Sequence, residues 1–464
     1  MPHLTLDVPL HKSILRIAVP SILANITIPL VGLVDMVIAG HISEAWAIGG
    51  IAVGTMLFDM LYGCFGFLRV STAGLTAQAY GANNPRECGS LFLRSGAIAL
   101  VGAMLIWLLQ TVYLEAVLYV MPCSQEVAGF ARAYFRIRIW AAPATLMLMT
   151  CKGWFIGMQD GTRAMVADVV VNGVNMLASY LLAVHTPLGA IGVAWGTLIA
   201  QWLGLIVALA MIMIRYKVNF RHDVMSSCRR VDFDKISYRI RSSRFFRLNA
   251  DLFVRSLCFI IVYVGWTAIS SAYGDVDLAA SALMMKLFML FSFFIDGFAY
   301  AAEALVGKQI GESSLSDQSP TYALPSGGEA FARLMRALFG WGTGMALLFS
   351  MLYALFPETI YGWMTSDRQV VEALAHYTPW LVAMPIVSML AFMWDGVFAG
   401  ATQGQTIRNA MLYAASAFAG TYLICYISAD AIGCTLSLHA LFAAYFAHLL
   451  ARVIYLTWKY VRMR

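Results

Sequence analysis

Two groups of residues in this chain have the types and spacing to do chemistry in an apolar setting. The first centres on Asp35, in the run LVGLVDMVIAG, with Pro20, Asn25 and Pro29 earlier in the same stretch. A carboxyl group shut away from water can be charged when it faces one compartment and neutral after taking a proton from the other. A proline removes a backbone donor and bends a helix, so the stretch with Pro20 and Pro29 reads as a bendable helix that carries this acid. A proton switch on a bendable helix and an interfacial acid near the helix end at Gly40 are both open readings of Asp35. The second group is Asp168, Asn172, Asn175 and Ser179, spaced i, i+4, i+7 and i+11. That spacing lays all of them on one helical stripe. Such a stripe does not face lipid; it lines water or packs on another polar helix. Thr197 and Tyr134 are candidates to join it.

The second half carries its own charges. Asp251 and Arg255 stand at i, i+4, where opposite charges pair along a helix. Asp296 and Glu303 stand at i, i+7, with Lys286 upstream, and Asp395 ends a later apolar run. Structural ion pairs near helix ends are the reading for these groups, and Glu303 and Asp395 are also candidate gate contacts. Asp168 and Asn172 are candidates for a relay or a substrate contact. The eight His show no ligand-like cluster and the eight Cys no CxxC pair. The sequence therefore predicts no metal site and no cofactor.

The elements that must position these groups follow from composition. Hydrophobic residues make up 61% of the 464 and charged residues only 12%, against about 25% charged in an ordinary soluble domain. That excludes a water-soluble enzyme and a secreted disulfide scaffold. A transmembrane helix needs about 20 apolar residues, and twelve stretches qualify: 13–39, 46–72, 89–120, 127–149, 163–184, 188–214, 245–271, 278–305, 331–356, 370–395, 406–428 and 435–458. Their continuous apolar runs exclude a β-barrel, which needs strand alternation. The first lacks a small-residue cleavage pattern and reads as a permanent span. The fold class is thus an all-α membrane protein with twelve transmembrane helices.

Basic residues set orientation. Ten fall between Arg215 and Arg247: Arg215, Lys217, Arg221, Arg229, Arg230, Lys235, Arg239, Arg241, Arg244 and Arg247. Lys12 and Arg16 precede the first span and Lys459, Arg462 and Arg464 follow the last. The alternate loops hold Glu44, Glu126, Asp275, Asp277, Glu358, Asp367 and Asp430 against one basic residue, Arg368. Both termini and the basic segment are therefore expected in the cytoplasm. The net charge of +6 sits in these stretches rather than on a domain face, so no nucleic-acid partner is expected.

The basic segment separates two six-helix halves: an N-lobe at 1–214, a linker at 215–244 and a C-lobe at 245–464. Gly66, Phe67 and Gln78 match Gly297, Phe298 and Gln309 at a spacing of 231 residues. Gly153, Phe155, Gly157 and Gly161 match Gly396, Phe398, Gly400 and Gly404 at 243. Six spans per half make this a parallel, pseudo-symmetric repeat, which suits alternating access by two rocking lobes. No GxxxxGK[ST] phosphate loop, HExxH or GxSxG motif occurs. Energy must then come from an ion gradient, through an ionisable group at membrane depth.

At this point a resemblance is visible. The stretches AVPSILANITIPLVGLVDMVIAGHI, FLRVSTAGLTAQAYGANNP, FRIRIWAAPATL, GWFIGMQDGTRA, LNADLFVRSL, DGFAYAAEALVG and WDGVFAGATQGQTIRNAML span both halves. Together they resemble the DinF-like branch of the multidrug and toxic compound extrusion family. The resemblance implies two six-helix lobes around a V-shaped cavity. It also implies export of amphipathic, often cationic, organic compounds against inward H+ or Na+. By motif position, Asp35 is the first-helix carboxylate of an N-lobe coupling site and Asn175 its fifth-helix Asn. Thr197 and Tyr134 match polar cavity positions, and Pro20 matches the bending proline. One departure stands out. The family's fifth helix carries N-x-x-x-D, but here the stretch is NMLAS, so Ser179 stands where Asp is expected. Asp168 is about 16 Å away along a helix, too far to replace it. Asp35 would then carry the proton alone, with Asn175, Ser179 and Thr197 as hydrogen-bonding neighbours. Fewer acids favour H+ over Na+, which seeks several oxygens.

The leading expectation is a monomeric proton-coupled multidrug antiporter of a bacterial-type inner membrane, in contact with lipid and amphipathic substrates. The alternative is a lipid or lipid-linked oligosaccharide flippase of related fold. That would need a cationic cavity for pyrophosphate, and Arg69, Arg136, Arg138 and Arg255 are its candidates. An intramembrane enzyme lacks a nucleophile–base or metal pair. A non-transporting scaffold would show no flux.

Overall fold

Long apolar runs in lipid have one economical solution, because every backbone N–H and C=O must be satisfied within the segment. The computed structural model describes residues 8–42, 45–120, 124–216, 235–316, 328–432 and 437–463. The regular structure among them is helical. In chain order the helices are α1 (Val8–Ile42), α2 (Ala45–Gly63), α3 (Phe67–Gly81), α4 (Pro85–Val120), α5 (Gln125–Arg138), α6 (Ala142–Gly157), α7 (Gly161–Val184) and α8 (Gly192–Tyr216). They continue as α9 (Lys235–Ser270), α10 (Asp275–Ser316), α11 (Glu329–Leu355), α12 (Pro357–Met364), α13 (Arg368–Gly400), α14 (Gly404–Ile432) and α15 (His439–Met463). Among the described residues, twelve helical segments are long and apolar enough to cross a membrane. Two of them are composite: α2 with α3 spans Ala47–Gly81, and α5 with α6 spans Gln125–Gly157. Of the basic segment, Lys217, Arg221, Arg229 and Arg230 lie outside the described residues, as does Glu44.

The chain divides into two compact units, one of Leu23–Phe246 and one of Met1–Ile22 with Arg247–Arg464. The division falls inside α1, two residues past Pro20.

Several helices outrun the expected spans, and small residues explain why. The segment expected at 46–72 continues to Gly81, and that at 127–149 to Gly157. In the first unit, α6 lies directly on α3. A Cβ on Gly153 would strike the carbonyl of Arg69, and one on Gly157 would stand 2.7 Å from that of Ala73. In the other unit α13 lies on α10 in the same way. A Cβ on Gly396 would strike the carbonyl of Ala299, and one on Gly400 would stand 2.5 Å from that of Glu303. Only glycine permits backbones this close, so the helices stay paired beyond the length lipid requires.

The turns that follow α6 and α13 repeat bond for bond. Asp160 N donates to Phe155 O at 2.9 Å and Met158 N to Trp154 O at 2.9 Å. Gln403 N donates to Phe398 O at 2.9 Å and Ala401 N to Val397 O at 3.0 Å. Gln159 and Thr402 hold the left-handed position at φ 64° and 54°. These are helix-terminating Schellman turns at corresponding places in the two halves, with the 243-residue spacing read from the sequence. On the facing helices the register differs from expectation. Arg69 and Ala73 correspond to Ala299 and Glu303, a spacing of 230 rather than 231. The backbone differs there: three-residue turns, such as Phe65 N to Tyr62 O at 2.9 Å, separate α2 from α3, whereas α10 runs unbroken.

Candidate functional site

The polar stripe of α7 fans out to three neighbouring helices. Asp168, half-buried, forms an ion pair with Lys152 of α6. Asn172 donates to Thr27 of α1 through a short contact, and Thr27 itself donates to Ala24 O at 2.6 Å. Asn175 donates to Thr197 Oγ1 on α8 at 2.9 Å, and Thr197 donates onward to Val193 O at 3.0 Å. Of the two openings the sequence left for this stripe, the geometry is that of packing on polar partners.

Asp35 sits on α1 beside the Ser179 end of this stripe, only 8% exposed. Ser179 of α7 lies next to its carboxylate, and the Arg138 guanidinium acts on it electrostatically. Asp35 Oδ1, Ser179 Oγ and Asn175 Oδ1 are buried with no hydrogen-bond partner among the described residues. Buried polar atoms in that state are rare and costly. Asp35 and Ser179 meet where α1 reaches α7, and Asn175 lies one turn away on α7 toward Thr197 of α8. The helix spacing that sets this geometry is fixed by Gly196 of α8, where a Cβ would stand 2.5 Å from Ser179 N and Oγ.

Tyr134 is fully buried but belongs to a different contact. Its hydroxyl accepts from Arg138 Nη1 at 3.1 Å, and its ring packs where Gly54 of α2 lacks a side chain. Arg138 also lies over the Phe58 ring at 4.7 Å and acts electrostatically on Asp59 of α2. The sequence reading missed Asp59. The available signal was an ionisable residue inside the apolar run MLFDMLYG.

In the second half the expected pair along α9 is replaced by pairs between helices. Asp251 binds Arg408 of α14 at 2.5 Å. Arg255 binds Asp395 of α13 at 2.9 Å, and Arg452 of α15 binds the same carboxylate oxygen at 2.6 Å. Flexible guanidiniums reach the nearest buried carboxylate of a neighbour, and helical spacing alone does not reveal that. Arg408 and Arg452 were not singled out from sequence. Glu303 is buried on α10 under Gly400, and Asp296 is half-buried on the same helix. Pro20 is half-buried within unbroken α1.

Twelve spans, a repeated half and ionisable groups held at membrane depth define a secondary transporter rather than an enzyme. The comparisons are specific. The MatE family model matches residues 20–181. DNA damage-inducible protein F of Escherichia coli (strain K12) is 32% identical over 412 residues, covering 89% of this chain and 85% of its own. Human multidrug and toxin extrusion protein 1 is 23% identical over 394 residues, covering 84% of this chain and 64% of its own. A solved structure described as the outward-facing conformation of a multidrug resistance MATE family transporter superposes with a TM-score of 0.81 at 16% identity, covering 99% of this chain and 98% of that one. The chain belongs to the multidrug and toxic compound extrusion (MATE) family. It is an integral membrane transporter of small organic substrates, driven by an ion gradient without a cofactor.

Proposed function

We propose that this protein exports amphipathic, often cationic, organic compounds in exchange for protons, with Asp35 as the carboxyl group that carries the proton. The observation behind this is the buried, incompletely bonded Asp35 carboxylate set against Ser179, with Asn175 and Thr197 one turn and one helix away. A protonated Asp35 donates one hydrogen bond, and the Ser179 hydroxyl beside it can accept it. The charged form accepts from the Ser179 hydroxyl instead. The surroundings thus suit both states without moving a charge partner in or out. Sodium is the less favoured ion, since the oxygens here come from one carboxylate, one amide and hydroxyls.

Pro20 supplies the hinge. It lies two residues before the place where α1 passes from one compact unit to the other, where a missing backbone donor makes bending cheap. Alternating access is carried by the lobes at 1–214 and 245–464, joined by the basic segment at 215–244. Asp168 with Asn172, and the ion pairs of Asp251, Arg255 and Asp395 together with Asp296 and Glu303, hold helices in register rather than carry the proton. The protein works as a monomer in a bacterial-type inner membrane, its termini and basic segment cytoplasmic. A flippase is disfavoured because Arg255, one of the cations needed for pyrophosphate, is already bound to Asp395.

The test is dye efflux from proteoliposomes with the pH and sodium gradients imposed separately. Efflux follows the pH gradient in the wild type and is lost in Asp35→Asn at unchanged monodispersity. Pumping that persists in Asp35→Asn, or that follows sodium alone, overturns the assignment.

A further inference from the structure

The first stretch of α1 packs with the second half of the chain. Up to Ile22 it falls in the same compact unit as Arg247–Arg464, and from Leu23 onward α1 belongs to the other unit, with Asp35. Two attachments hold this leading stretch. At Ala18 the backbone meets α10 where Gly297 has no side chain: a Cβ there would stand 2.8 Å from the Ala18 carbonyl oxygen and 2.5 Å from Ile22 Cγ1. Two turns earlier, Trp341 of α11 donates its indole N–H to His11 Nδ1 at 3.0 Å. The Trp341 ring is itself stacked on Phe298 of α10, with centroids 6.1 Å apart and planes at 12°, which orients the donor. The start of α9 is exchanged the other way. It belongs to the first unit up to Phe246, and Phe245 is buried among Ala79, Cys88 and Leu91. That attachment is apolar, whereas the one on α1 includes a titratable ring.

An indole N–H donates and cannot accept. His11 Nδ1 is therefore the bare nitrogen of a neutral imidazole, with the ring proton on Nε2. Protonating the ring puts an N–H on Nδ1, facing the N–H of Trp341, and the bond is lost. Histidine is the side chain whose charge changes between about pH 5 and pH 8. Protons can reach the pair, since Trp341 is 37% exposed and His11 is partly exposed. The charged groups on the helices around it are Lys12 and Arg16 on α1, Glu329, Arg333 and Arg336 on α11 and, from Asp296 onward on α10, Asp296, Glu303, Lys308 and Glu312. Lys308 and Glu312 pair with each other. Among the described residues none of these groups is bonded to His11, so no carboxylate holds its charged form in place.

We infer that the Trp341–His11 bond is a pH-sensitive fastening that positions the leading stretch of α1, closed while His11 is neutral and released when His11 takes a proton. Release leaves the Ala18–Gly297 contact as the remaining attachment, two residues before Pro20. The stretch before the proline can then lift from α11 while the part of α1 past Ile22 stays with its own unit. The chemistry is one proton from water added to Nδ1, with the indole N–H left to bond water instead. His11 and Trp341 are positioning residues, since neither touches Asp35. The bearing on transport rests on the proton exchange proposed above: the fastening sets how firmly α1 is anchored at the end away from Asp35 when it bends. The fastening itself does not depend on that reading.

Hydrogen exchange of the 8–22 stretch tests this, measured by mass spectrometry on the full-length protein in nanodiscs with no gradient. Rates are corrected for the intrinsic pH dependence of amide exchange. In the wild type, protection should fall by about tenfold between about pH 8 and pH 5.5. His11→Asn keeps an acceptor oxygen near the Nδ1 position without a titrating ring, so its protection should be the same at both pH values. Trp341→Phe keeps an aromatic ring on Phe298 but removes the donor. It should exchange at pH 8 as fast as the wild type does at pH 5.5, with no further change on acidification. The start of α9, held by Phe245, is the internal control and should not respond to pH. Thermal unfolding of each variant separates a lost fastening from lost folding, and the wild-type comparison needs no variant. Equal corrected exchange in the wild type at the two pH values overturns the inference, as does a pH dependence that survives in folded Trp341→Phe. Asp35→Asn should keep the wild-type response; its loss there would assign the effect to Asp35 and overturn the role of His11. Efflux can fail its own test with these results unchanged, so the two ideas stand or fall separately.

Discussion

The contact between α7 and α8 is the most exacting packing constraint on the Asp35 neighbourhood, and Gly196→Ala tests it. The added Cβ would stand 2.5 Å from both Ser179 N and Ser179 Oγ and 2.7 Å from Ser179 Cα. Ordinary contact begins at 3.4 Å, so the two helices must part by about 1 Å at this level, and close-packed interiors do not absorb that without cost. The Asn175–Thr197 hydrogen bond, 2.9 Å long and one turn away, is then drawn past bonding range. Overpacking costs about 1–3 kcal/mol, the hydrogen bond adds about 1 kcal/mol, and the better helix propensity of Ala returns about 1 kcal/mol. The net expectation is a loss of about 1–3 kcal/mol. Gly173→Ala on α7 is the control, since nothing lies within 4 Å of its added Cβ; it should gain about 0.5–1 kcal/mol from propensity alone. Unfolding in mixed micelles by SDS titration compares the two. Gly196→Ala should also lose pH-driven efflux, since Ser179 is carried away from Asp35. Equal unfolding midpoints for the two alanine variants would refute the close-contact argument.

Other ion pairs give graded expectations. Lys152→Met strands the half-buried Asp168 and should cost about 2 kcal/mol or more, much of it restored in the Lys152→Met/Asp168→Leu double variant; SDS unfolding of the cycle measures both. Arg452, with 4% of its side chain exposed, should matter more than Arg255, with 28%: Arg452→Met should cost about 3 kcal/mol or more and Arg255→Met less, by the same titration. Glu115→Gln breaks a two-bond contact with Arg132, but the side chains are 49% and 37% exposed, so the unfolding midpoint should stay at the wild-type value.

The fold was legible because lipid leaves the backbone little choice. Twelve long apolar runs become twelve helical spans, and glycines at equal spacing in the two halves become equal close contacts. The α7 stripe was legible for the same reason, since four polar residues on one face of a helix must be accommodated together. What failed to read was anything that depends on which neighbour stands opposite. Arg255 lies one turn from Asp251 in sequence, yet its guanidinium crosses to Asp395 while Asp251 takes Arg408. Tyr134 was a candidate to join the polar stripe of α7, but its hydroxyl accepts from Arg138. Asp59 escaped notice because a lone acid has no periodic partner. Its context emerges only when α5 brings Arg138 against the ring next to it.

The repeat itself makes the difference between the halves informative. Lys152 and Asp395 occupy corresponding positions, 243 residues apart, with opposite charge. Each has drawn its counter-charge from a different helix, Asp168 of α7 in one case and Arg255 of α9 with Arg452 of α15 in the other. The backbone contact beside each is the same: glycine on carbonyl, one residue along the helix. A shared scaffold with inverted charges means that the packing, not the ion pair, is what the repeat preserves. It also divides the acids by chemistry. Asp251 and Asp395 are each clamped by guanidinium hydrogen bonds within 2.9 Å, so removing a guanidinium from either leaves a buried carboxylate uncompensated, at a cost of about 3–5 kcal/mol. Asp35 has the Ser179 hydroxyl beside its carboxylate, and the Arg138 guanidinium acts on it electrostatically.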